Sequence, residues 1–334
     1  MGSGGGPGGG GRGPGAEPRF QPLRTAAFDL LAAGDYRGVL PLALEAEALY
    51  PAKGEAPFWL ACVHCRLGDT EGALAALRAG LARGHYWPAD WLLEDDDLEP
   101  LRGRPELEAI LRESAAARSA GSGAGALEPV VLDPSGATDG GATPAALVLA
   151  FHGWGQDADE LALHWRAAAA CGFAVIVPRS SQQPTPGFFV WDDRETALAE
   201  VAAQFRRACG AVSDGAAAPP LLLAGFSQGG GLAVDLAIDA EPAPCVGFLA
   251  VAAGTEDLVV PPGPDRLAPA AARGLRGRLL VGDRDEALSG AHALAEAGAR
   301  AGLSWALTVR PGAGHEMPEP PGELVADELA ALLG

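Results

Sequence analysis

From Pro22 to about Ser114, apolar residues recur every three or four positions: Leu30 and Leu31, then Val39, Leu40, Leu42 and Ala43, then Leu74, Leu77 and Leu81. That spacing gives an α-helix one apolar face, so this segment is expected to be helical throughout. From Leu127 the texture changes to short apolar runs alternating with helical stretches, the pattern of a parallel sheet covered on both faces. Strands are expected near Val130–Leu132, Ala146–Phe151, Ala174–Val177, Leu221–Ala224, Val246–Val251, Arg278–Val281 and Trp305–Val309. Helices are expected near 158–171, 193–209, 229–239, 287–301 and 323–333. The predicted architecture is α/β: a doubly wound, mostly parallel sheet, preceded by a small all-α domain, with functional groups at the C-terminal ends of the strands.

Composition sets the boundaries. Residues 1–19 are mostly glycine with interspersed proline and hold almost nothing to bury, so a disordered leader is expected there. The helical domain is assigned to 20–116, a linker rich in Ala, Ser and Gly to 117–126, and the α/β domain to 127–334. The helical part contains a repeat. Leu31-Ala32-Ala33-Gly34-Asp35-Tyr36 and Cys65-Arg66-Leu67-Gly68-Asp69-Thr70 lie 34 residues apart, and each ends one helix and starts another. Gly68 reads as a helix stop and Asp69 as an N-cap. This period resembles that of tetratricopeptide repeats, although only about two units are present. Trp87, Trp91, Leu92, Leu98, Leu101, Leu107 and Ile110 are expected to close the stack. Its unsatisfied end faces point to a protein partner or to self-association.

The charge narrows the partners further. The 334 residues carry a net charge of −19, with Lys53 the one lysine, which argues against nucleic acid and anionic membranes. No apolar run approaches the ~20 residues of a membrane span, and no signal peptide is recognisable, so a cytoplasmic setting is expected. Five cysteines do not suggest a disulfide framework. Cys62-Val63-His64-Cys65 lacks a second ligand pair and reads as a buried helical pair; Glu94-Asp95-Asp96-Asp97 reads as a solvated turn. Neither metal nor cofactor is expected.

The chemistry is concentrated at Gly225-Phe226-Ser227-Gln228-Gly229, where the strand pattern turns into a helical one. A serine there would sit exposed on a tight turn, as a nucleophile requires. Asp283-Arg284-Asp285 and His315 each follow a later expected strand, giving the chain order Ser, Asp, His of α/β-hydrolases. His152-Gly153-Trp154-Gly155-Gln156 follows another strand, and its glycine-rich turn, with the N–H of Gln228, is a candidate oxyanion hole. His152 reads as a structural hydrogen-bonder.

These motifs, with Trp191-Asp192, Gly282-Asp283-Arg284-Asp285 and Gly314-His315-Glu316, resemble the phospholipase/carboxylesterase family of α/β-hydrolases, which includes acyl-protein thioesterases. The resemblance covers about residues 127–334. It implies Ser227 as nucleophile, His315 as base, Asp285 as acid, an oxyanion hole from the amides of Trp154 and Gln228, and Trp191 beside the substrate cleft. Asp283 remains an alternative acid, and Asp257 an outside one. The implied function is a serine esterase acting on a small-molecule carboxylic ester, thioester or lysophospholipid. The competing expectation is a catalytically silent hydrolase-fold scaffold whose repeats recruit a partner.

Overall fold

The computed structural model describes residues 20–121, 127–134, 144–212, 219–258, 262–318 and 322–334, so the expected leader and the second half of the expected linker lie outside the described residues. The chain divides into two compact units, Met1–Ala117 and Arg118–Gly334.

The first unit is helical: α1 (Phe20–Ala32), α2 (Tyr36–Leu49), α3 (Glu55–Arg66), α4 (Thr70–Ala82), α5 (Ala89–Glu94), a 3-10 turn (Asp96–Leu101) and α6 (Pro105–Gly121). The repeat seen in the sequence has the same local geometry twice. Gly34 and Gly68 take φ of 72° and 82°, stopping α1 and α3 with a left-handed residue. Asp35 then accepts from the N–H of Gly38 at 3.0 Å, and Asp69 from that of Gly72 at 2.9 Å, capping α2 and α4. Phe20, Trp59, Leu74, Leu77, Trp87 and Leu107 form the centre of its core. The Trp87 indole is satisfied by the Gly54 carbonyl at 2.8 Å, as a buried N–H requires.

The acidic run is consumed structurally. Asp95 accepts from the Asp97 N–H at 2.8 Å, and Asp97 pairs with Arg66. Those carboxylates and Cys62 bring ligand atoms within 4.8 Å of one another, and burial first, then the charges of Asp95 and Asp97, push the Cys62 thiol well above its ordinary pKa. Helix α6 runs to Gly121, into the stretch assigned to the linker, because Ala115, Ala116 and Ala117 are the strongest helix formers available.

The second unit is a seven-stranded sheet: β1 (Val130–Leu132), β2 (Leu147–Phe151), β3 (Ala174–Val177), β4 (Leu221–Phe226), β5 (Gly247–Val251), β6 (Arg276–Gly282) and β7 (Trp305–Arg310), in the order β1-β3-β2-β4-β5-β6-β7. Among the described residues, β1 is the one strand of this sheet that runs antiparallel to its neighbour. Its helices are α7 (Ala158–Ala170), α8 (Arg194–Val212), α9 (Gln228–Asp239), α10 (Pro264–Ala272), α11 (Leu288–Arg300) and α12 (Gly322–Ala331). Both sheet faces are covered. Leu147, Leu149 and Phe151 pack with residues of α8, α9, α10 and α11, whereas Val148 and Ala150 pack with residues of α7 and α12. Hence the central strands show no polar alternation. Helix α10 is not among the helices expected from the pattern; Pro264 occupies its first position, where the missing N–H costs nothing. Among the described residues no helix is long and apolar enough to cross a membrane.

Candidate active site

Strand β4 lies between β2 and β5, with Gly225 paired to Phe151 and Ala250 and Phe226 paired to Val251. The chain then reverses into α9 within one residue. That residue is Ser227, at φ 52° and ψ −125°, a conformation costing on the order of 1–3 kcal/mol for a residue with a side chain. The turn holds because its neighbours lack side chains: a Cβ at Gly225 would lie 2.1 Å from the Gly229 carbonyl oxygen, and one at Gly229 would lie 2.3 Å from that of Phe151. The Ser227 N–H is anchored to the Val251 carbonyl at 2.8 Å. Ser227 occupies the N-cap position of α9 yet makes no side-chain cap. Its hydroxyl meets His315 instead.

His315 Nε2 lies 2.9 Å from Ser227 Oγ, and its Nδ1 lies 2.9 Å from Asp285 Oδ1. An ionised carboxylate only accepts, so Nδ1 carries the proton and Nε2 accepts from the serine hydroxyl. Asp285 Oδ1 also accepts from the Ala287 N–H at 3.0 Å, and its side chain is fully buried. The two aspartates of the Gly282–Asp285 turn therefore have different tasks. Asp283 accepts from the Gly312 N–H at 2.8 Å, and the Arg284 N–H donates to the Ala313 carbonyl at 3.0 Å, which together hold the loop that carries His315.

The electrostatics favour the imidazolium. Burial pulls the His315 pKa down, but the hydrogen bond to Asp285 and the charges of Asp285, Glu286 and Asp257 outweigh it, so the pKa lies above the ordinary histidine value. Asp257 does not bond to His315; it accepts from the Gly254 N–H at 2.8 Å, and burial, followed by the nearby acids, pushes its carboxyl up. A cavity of about 290 Å³ opens on this side, lined by Ser227, Glu256, Asp257, Glu286, Ala287 and His315.

The loop after β2 packs against the serine turn from elsewhere: a Cβ at Gly153 would lie 3.2 Å from the Phe226 carbonyl oxygen. Gln156 accepts from the Gly153 N–H at 2.9 Å, and the Gly155 N–H donates to the Phe189 carbonyl at 2.9 Å. Trp154 is 39% exposed, with its ring against the edge of Phe188. The N–H of Gln228 stands at the first position of α9, where no carbonyl of its own helix can receive it.

Trp191 departs from the expectation of a cleft residue. It is only 2% exposed, its ring stacks on His152, and its indole donates to the His152 carbonyl at 2.9 Å. A large apolar ring next to the core is better buried than wetted, so Trp191 braces the loop after β2. The sequence reading also missed the Gln228 side chain, which accepts from the Trp191 N–H at 3.0 Å and donates to Asp192 at 2.8 Å. It thus ties the serine turn to the Trp191 loop. Among motif signals, only the joint presence of Trp191-Asp192 and Gln228 hinted at this link.

No protein-family model and no curated protein sequence matches this chain. Among solved structures, an uncharacterized protein from Bacillus cereus ATCC 10987 superposes with a TM-score of 0.52 at 16% identity, covering 94% of this chain and 99% of that one. That coverage exceeds what either unit alone supplies, so the likeness in fold includes the helical region. Esterase PE8 has a TM-score of 0.46 at 20% identity, and acyl-protein thioesterase 2 of Zea mays a TM-score of 0.46 at 19% identity; each match covers 62% of this chain and 99% of the other. By its own topology the second unit is a doubly wound α/β domain on a mostly parallel seven-stranded sheet.

Proposed function

We propose that the α/β unit is a serine hydrolase that cleaves carboxylic esters, thioesters included, through an acyl-enzyme. The observation that carries this reading is the relay Asp285–His315–Ser227, with both links at 2.9 Å and the serine held on a strained turn. In the reaction, His315 Nε2 takes the Ser227 proton as Oγ attacks the carbonyl carbon, and the amides of Trp154 and Gln228 receive the oxyanion. The intermediate collapses, the carbon–oxygen or carbon–sulfur bond breaks, and His315 returns the proton to the leaving group. A water, deprotonated by the same nitrogen, then releases the acid. Asp285 holds the histidine tautomer and stabilises its charged form. Trp191 acts as a positioning residue, through His152.

The test is hydrolysis of p-nitrophenyl acetate, butyrate and octanoate by the wild type and by Ser227→Ala, both confirmed folded by circular dichroism. Turnover by the wild type alone supports the reading, and the chain-length preference sizes the acyl pocket. If neither protein turns over any ester and a serine-reactive phosphonate leaves Ser227 unlabelled, the reading is wrong.

For the helical unit we propose a tetratricopeptide-like module that docks a protein partner or a second copy of the chain. The twice-repeated stop-and-cap geometry at Gly34-Asp35 and Gly68-Asp69 supports it. Sedimentation of the full chain against one shortened to begin near Gly121 tests self-association; an unchanged oligomeric state removes that half of the proposal.

A further inference from the structure

The cavity beside Ser227 is identified by the serine–histidine pair and not by its charge, but its charge is distinctive. Of its six lining residues, three are acidic: Glu256 and Asp257 from the loop after β5, and Glu286 from the loop after β6. None of its walls comes from the loop after β2, which carries the proposed oxyanion donor Trp154. The cavity therefore flanks the histidine. In ester cleavage, the group on that side is the leaving alcohol or thiol, because His315 Nε2 delivers its proton.

A chain of net charge −19 places acids on much of its surface, so unpaired acids need a comparison. Elsewhere in this unit arginine answers several acids, though not all: Arg179 pairs with Asp159, Arg207 with Glu128, Arg266 with Asp235 and Asp239, and Arg278 with Glu328; what distinguishes the cavity is that three acids meet at one serine–histidine pair. Among the described residues, no arginine or histidine forms an ion pair with Glu256, Asp257 or Glu286. The cavity is small, at the low end of the roughly 300–1,000 Å³ range of ligand sites, so whatever enters it meets these carboxylates closely.

Resting on the serine-hydrolase reading, we propose that the substrate's leaving group is a small cationic alcohol or thiol, with Glu256, Asp257 and Glu286 as its counter-charges. The ammonium takes no part in bond making. Ser227 Oγ bonds to the carbonyl carbon, the carbon–oxygen or carbon–sulfur bond to the cationic group breaks, and the serine proton leaves with that group through His315. An anionic leaving group would instead be repelled by three like charges before it reached the serine.

The test compares thiol release from three thioesters by the full-length wild type: acetylthiocholine, its neutral carbon isostere, and S-acetyl mercaptopropionate, which is anionic. The expected order of kcat/KM is cation, neutral, anion, with about tenfold between neighbours at low salt, shrinking at about 0.5 M salt as screening sets in. Glu286→Gln and Asp257→Asn should narrow the ratio of cation to neutral isostere. If either variant does not fold, the wild-type ratio and its salt dependence still decide. Equal turnover of cation and anion, abolished by Ser227→Ala, overturns the charge preference and leaves the serine hydrolase standing. No turnover of these thioesters or of p-nitrophenyl acetate, together with no phosphonate labelling, overturns both.

Discussion

Two kinds of turn in this molecule use similar residues to opposite ends. At Gly34-Asp35 and Gly68-Asp69, a glycine stops one helix and the following aspartate caps the next, spending its side chain on an orphan N–H. At Gly225-Phe226-Ser227, a residue of the capping type again stands before a helix, but it does not cap. The aspartates sit at φ −87° and −98°, whereas Ser227 sits at φ 52°, so its hydroxyl is carried away from the helix and onto His315. The difference is between a side chain used for stability and one withheld from it.

The largest expected effect tests the withheld side chain directly. Ser227→Gly should lower kcat/KM by about 10⁴-fold or more, yet raise stability by about 1 kcal/mol, because glycine adopts the positive φ without strain. A rise in Tm with loss of esterase activity is the expected pair of results; a lower Tm would mean that the turn is not strained. Next in size, Asp285→Asn should cost about 10³- to 10⁴-fold in kcat by spoiling the histidine tautomer. Asp283→Asn should cost far less, about tenfold, because it loosens only the Gly312 anchor. Equal losses would mean that the two aspartates do not have separate tasks.

The pH profile is a subtler test. In the proposed mechanism His315 must be neutral to act as base, and its pKa is raised above the ordinary 6.5, so the acidic limb of kcat/KM should lie above that value and fall back in Glu286→Gln. The linked stability has the opposite trend. A raised histidine pKa contributes stability that is fully present below the unfolded pKa and is lost as pH rises through the folded one, so this contribution to Tm should decline over the interval in which activity climbs. Smallest is the capping aspartate. Asp69→Ala should destabilise the helical unit by about 1 kcal/mol in chemical denaturation, without the loss of turnover seen at Ser227.

The alternation of apolar runs and helical periods was enough to read all seven strands in the sequence, since the burial of a strand on both faces leaves a local signature at Leu147–Phe151 and Leu221–Phe226. Helix α10 is not among the expected helices: Pro269 interrupts its interior, where proline is a poor helix former, although Pro264 suits its first position. The serine turn was legible too: glycines at 225 and 229 are demanded by contacts only a few residues away along the chain or across one strand pair.

What the sequence by itself determined was thus the order of elements, the strained turn and the set of candidate side chains, all consequences of local pattern and sterics. Only the tertiary structure decided which candidates meet. His315 is 88 residues from Ser227 and 30 from Asp285 along the chain, and the two aspartates, two positions apart, were separated in role only when the loop after β7 packed onto the loop after β6. Tertiary packing likewise turned Trp191 inward and left Glu256, Asp257 and Glu286 facing one cavity. The physical reason is one of range: backbone preference and amphipathicity act over a few residues, whereas hydrogen-bond partnership and shared electric field depend on distances that the folded sheet alone sets.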